Sequence, residues 1–115
     1  MEMKIKKSVA VLLAHIIKLD NRDIEKETPL FCKLMKQDFG CDRGEGKEFL
    51  YKIIKEDYNI DEHVKFIRDV LADDNYTKYE ILKQLNRIIY SDNIEDNDYK
   101  EFEKIKNILF SKNYK

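Results

Sequence analysis

Val9-Ala-Val-Leu-Leu-Ala-His-Ile-Ile-Lys-Leu19 decides the fold, because only His15 and Lys18 interrupt an otherwise apolar run. Eleven helical residues rise about 16 Å. That is far short of the roughly 30 Å hydrocarbon core of a bilayer, so the run cannot span a membrane and needs protein around it. It reads as a buried central helix. Five later stretches, each with one apolar stripe at three-and-four spacing, can supply the cover.

The rest of the composition agrees with a helical protein. The chain has 115 residues, enough for one domain with a single core. Only three Gly and one Pro accompany a charged share of 39%, which favours helices over a turn-rich sheet protein. Lys and Arg number 22 against 23 Asp and Glu, so the net charge of −1 offers no general field for nucleic acid or an anionic membrane surface. Six tyrosines from Tyr51 to Tyr99 could stack bases, but the lysines alternate with acids along every helix and read as solvated faces. Lys4, Lys6 and Lys7 precede the apolar run as they would in a leader peptide. His15 and Lys18 break that run and no small-x-small site follows, so the segment is expected to stay as core. Cys32 and Cys41 are too few for a disulfide framework and lack zinc-ligand spacing; free thiols in a cytoplasmic protein are the expectation.

Outward from the central run, the spacing predicts a first helix from about Lys4 to Leu19, closed by Asp20-Asn21. Thr28-Pro29 offers an N-cap and first-turn proline for helix two, with a looser start near Ile24 as the alternative. Leu30, Phe31, Leu34 and Met35 form its stripe. The segment Phe39 to Gly46 holds all three glycines and is expected to be the main loop. Helix three is expected from Lys47 to Glu56, and helix four after an Asp61 cap with Val64, Ile67, Val70 and Leu71 inward. A capping box at Thr77 to Glu80 is expected to open helix five, and helix six begins near Asp96 with Tyr99, Phe102, Ile105 and Leu109 inward. The tail from about Ser111 is expected to fray. The fold class is therefore all-α, a compact bundle of six to seven helices in one domain spanning 1–115.

An internal echo connects the two ends. His15-Ile-Ile-Lys-Leu-Asp-Asn21 and Arg87-Ile-Ile-Tyr-Ser-Asp-Asn93 lie 72 residues apart and agree at four of seven positions. Each is followed by a short acidic loop and another helix, as in two related helical hairpins. At these residues the chain resembles the tellurite-resistance TerB-like family, whose domain also occurs at the front of certain membrane-anchored DnaJ-type co-chaperones. That family shows helix, Ala-Asp-Gly, small acidic loop, Glu, helix near both its start and its end. Leu19-Asp20-Asn21 and Ser91-Asp92-Asn93 stand in those places, and the family's acidic positions fall on Asp20, Glu27, Asp92 and Asp98. The chain departs from the pattern in having Asn for both glycines, Asp23 at a place usually apolar, and a second loop one residue shorter. The resemblance implies a binding or scaffold module associated with stress response and with a protein partner. A regulatory domain of a DnaJ-type co-chaperone is the alternative it also allows.

The residues themselves point to one chemistry. Carboxylates and Asn carbonyls are the oxygen ligands preferred by Ca²⁺ or Mg²⁺. Asp20, Asn21, Asp23 and Glu27 can form one cluster and Asp92, Asn93, Glu95, Asp96 and Asp98 the other. The competing reading is that these acids cap helix starts, where each contributes about 0.3–1 kcal/mol. An EF-hand is excluded, because counting from Asp92 puts Ile94 at the third position and Asn97 where Gly is needed. A phosphate loop at Gly44 to Glu48 lacks the hydroxyl that holds Mg²⁺. His15 and His63 have no Ser or Cys partner in a recognisable motif, so no catalytic residues are expected; a small metal-dependent enzyme is the third and weakest class.

Overall fold

The computed structural model describes residues 3–19, 24–40, 43–91 and 96–111. They form six helices: α1 (Met3–Leu19), α2 (Ile24–Phe39), α3 (Arg43–Lys55), α4 (Ile60–Val70), α5 (Asn75–Tyr90) and α6 (Asp96–Leu109). The apolar run behaves as its composition demands. Val9 to Ala14, Ile16 and Ile17 are all buried, and α1 packs against each of the other five helices, most extensively against α4 and α3. The remaining helices each turn one stripe toward it, with Phe31, Leu34 and Met35 from α2, Leu50 and Ile53 from α3, and Val64 and Ile67 from α4. Ile81, Leu82, Leu85, Ile88 and Ile89 of α5 and Ile105 and Leu109 of α6 complete one continuous core. The radius of gyration, 13.3 Å, is what a folded chain of this length should have. Among the described residues, no helix is long and apolar enough to cross a membrane.

Several boundaries differ from the sequence expectation, each for a local reason. Helix α2 takes the alternative start at Ile24, so Pro29 lies inside it, where it cannot donate to the Glu25 carbonyl and its ring crowds that carbonyl. Thr28 does not cap the helix; its hydroxyl donates to the Ile24 carbonyl at 2.6 Å. Gly44 and Gly46 are helical, so the expected glycine loop shrinks to the segment around Gly40. Gly40 closes α2 with φ +68°, the left-handed conformation that glycine adopts without steric cost, and its N–H reaches the Lys36 carbonyl at 2.9 Å. Gly46 serves a different purpose, since a Cβ there would stand 2.9 Å from Cys32 Sγ and 3.2 Å from Cys32 Cα. Its missing side chain lets α3 lie directly on α2, over the buried thiol of Cys32.

The caps also move, by two residues in α4 and three in α5. Asn59, not Asp61, caps α4 by accepting from the Glu62 N–H, and Asp61 instead pairs with Lys104 of α6 at 3.0 Å. Asp74, not Thr77, caps α5, accepting both the N–H and the hydroxyl of Thr77. Val70 and Tyr99, expected inward, are exposed. Helix α6 begins at Asp96, the expected position. Cys41 and residues 112–115, where a loop thiol and a frayed tail are expected, lie outside the described residues.

Candidate functional site

The echo seen in the sequence has a structural counterpart: Ile24 and Asp96, the first residues of α2 and α6, are separated by the same 72 positions. Of the nine candidate cation ligands, Asp20, Asn21, Asp23, Asp92, Asn93 and Glu95 lie outside the described residues. Asp96 is exposed. The other two are set deep. Glu27, in the first turn of α2, is 1% exposed, and Asp98, in the first turn of α6, is fully buried. Carboxylates at helix starts benefit from the positive end of the macrodipole, but that alone does not bury them, since desolvating a carboxylate costs several kcal/mol.

The hairpin ends converge. Ser91, the residue immediately before the second acidic segment, donates its hydroxyl to Glu27 Oε2 at 2.7 Å. The same hydroxyl lies 2.6 Å from the Ile88 carbonyl, so one proton is shared between the end of α5 and the start of α2. On the exposed side, the hydroxyls of Tyr90 and Tyr99 meet at 2.6 Å and tie the end of α5 to the start of α6. That bond raises the Tyr99 phenol above its ordinary value and keeps it protonated. Glu27 is thus joined directly to the second hairpin. Among the described residues, no group of three or more His, Cys, Asp or Glu side chains is placed to hold a metal ion.

A turn away from this junction stands an arrangement that the sequence reading did not anticipate. His15 bridges two distant elements. Its Nε2 is 2.6 Å from Glu101 Oε2 of α6, and its Nδ1 is 2.9 Å from the Tyr58 hydroxyl in the α3–α4 connection. With the imidazole neutral, Nε2–H donates to the carboxylate and Nδ1 accepts the phenolic proton. Burial, followed by the Glu101 charge, pushes the Tyr58 phenol above its ordinary value, which keeps it a donor. Lys18 lies over the Tyr58 ring, 5.1 Å from its centroid. The one available signal was a histidine set in the apolar run of α1, which implies a polar partner supplied from elsewhere in the fold.

The second histidine has a similar structural task. Ser8 of α1 and His63 Nδ1 of α4 are 2.9 Å apart, with Ser8 almost fully buried. Burial, and secondarily Lys7, hold the His63 imidazole below its ordinary value of 6.5, while Glu62 and Glu56 pull the other way. The unfolded chain therefore takes up this proton at higher pH than the folded one. The stability contributed by neutral His63 is complete above the ordinary imidazole value and is lost as pH falls from there through the lowered folded value. In urea unfolding between about pH 7.5 and about pH 5, the wild type should lose more stability than His63→Asn. Parallel curves would show that His63 titrates alike in both states.

Compared with family models, curated proteins and solved structures, the chain matches none.

Proposed function

We propose that the chain is a non-enzymatic binding module of the TerB-like type, in which a hard divalent cation is held where the two hairpins meet. The observation that carries the reading is the burial of two carboxylates, Glu27 and Asp98, at the starts of helices that are in register with the internal echo. Their oxygens, with the Ser91 hydroxyl already on Glu27, are the donor type that Ca²⁺ and Mg²⁺ take. Such a cation offsets the cost of desolvating both groups. Six or more oxygens are needed for Ca²⁺, and the adjoining acidic segments, with Asp20 and Asp92, are the source of the remainder on this reading. Cation binding then fixes the two hairpins against each other. The exposed Tyr90 and Tyr99 beside the junction offer a protein partner an aromatic surface whose position depends on that fixation.

Thermal unfolding in chelator, then in millimolar Ca²⁺, Mg²⁺ or Mn²⁺, tests this. At 100 times the dissociation constant, one site adds about 2.7 kcal/mol, a rise in Tm of roughly 10 °C for a domain of this size. Glu27→Gln, Asp98→Asn and Asp92→Asn should each abolish most of that rise. If no cation moves the wild-type transition, the acids are helix caps and the proposal fails.

A further inference from the structure

Lys78 is the one buried lysine or arginine among the described residues, only 4% exposed. It sits in the first turn of α5, a turn with no acidic residue, where the positive end of the helix dipole disfavours a cation. Among the described residues its ammonium has one partner, the face of Phe110, 5.4 Å from the ring centroid. A cation–π contact of this kind recovers less than burying an ammonium costs. Among the described residues no carboxylate pairs with Lys78.

Lys78 lines a cleft of about 450 Å³ between the end of α4, the start of α5 and the end of α6, and Arg68, Asp69, Asn75, Phe110 and Ser111 line it with Lys78. Arg68 uses Nε on Asp69 at 2.9 Å and Nη1 on Ser111 Oγ at 3.1 Å. Asp69 is half-exposed, and it is the one carboxylate against two cations in the lining. Phe110, packed against Tyr79 with ring centroids 4.7 Å apart, makes one wall flat and apolar.

We propose that this cleft binds a small organic oxyanion, a phosphate ester or a carboxylate, whose charged group sits between Lys78 and Arg68 and whose apolar body lies on Phe110. An oxyanion supplies the missing counter-charge, Asn75 and Ser111 can add hydrogen bonds to it, and Lys78 is already desolvated for the contact. The site is separate from the hairpin junction and does not depend on a cation there.

The test is a titration of the full chain, followed by amide NMR shifts, with inorganic phosphate, phenyl phosphate and benzoate. Phenyl phosphate or benzoate should bind saturably, with shifts centred on Asn75, Lys78 and Ser111, and the better of the two identifies the charged group. Inorganic phosphate, lacking the apolar body, should bind about tenfold more weakly. Lys78→Met should weaken binding by at least about tenfold while unfolding at the same or a higher temperature, since it removes a buried charge that no described carboxylate neutralises. Arg68→Gln, whose side chain is not central to the core, should give the same loss and serves if Lys78→Met does not fold. Shifts that do not saturate, or affinity unchanged in the variants, overturn the site.

Discussion

Leu13→Ala should lower the unfolding free energy by about 3–4 kcal/mol and Tm by roughly 12–16 °C. Leu13 has no exposed surface, and it lies on the helix that touches all five others. Closing the void left by the lost side chain would require several helices to move at once, so most of the cavity persists. The size of the loss depends on how far a site can collapse. Leu30→Ala, at a half-buried position on α2, should cost less than half as much. Urea unfolding of both variants gives the comparison. Equal losses at the two positions would mean that α1 is not the centre of the core.

His15→Ala should cost about 2–4 kcal/mol. Removing the imidazole leaves Glu101 Oε2 and the Tyr58 hydroxyl without their partner in a partly buried setting. Tyr58→Phe removes a single hydrogen bond and should cost about 0.5–1.5 kcal/mol. A double-mutant cycle between His15→Ala and Glu101→Gln should return a coupling of about 1–3 kcal/mol, and additive losses would show that the 2.6 Å contact contributes little.

The parts of the fold that the sequence reveals are those set by local periodicity. Val9 to Leu19 announces a buried helix because it is apolar around its whole circumference, and the helices after it show single stripes. The caps are less legible because Asp57, Asn59 and Asp61, or Asp73, Asp74 and Thr77, offer several competent capping groups within one turn. The choice falls where the following apolar face meets the core. The glycine-containing segment misleads because glycine permits two opposite outcomes, a left-handed turn at Gly40 and close helix packing at Gly46, and only Cys32 across the gap separates them. At the candidate junction, Glu27 and Asp98 stand among nine candidate ligands in the sequence, and their burial and the bridge from Ser91 to Glu27 come from packing between hairpins. The His15–Glu101 pair and the Lys78–Phe110 contact carry no local signature, since each depends on residues from distant segments.

The placement of α1 at the centre has a consequence for biosynthesis. His15 and Glu101 are 86 residues apart, a gap that takes roughly 4–17 s to translate. Throughout that interval α1 has been made while the helix that completes its cover has not. The core therefore cannot be complete until α6 has been made, and α1 relies first on α3 and α4 for its cover.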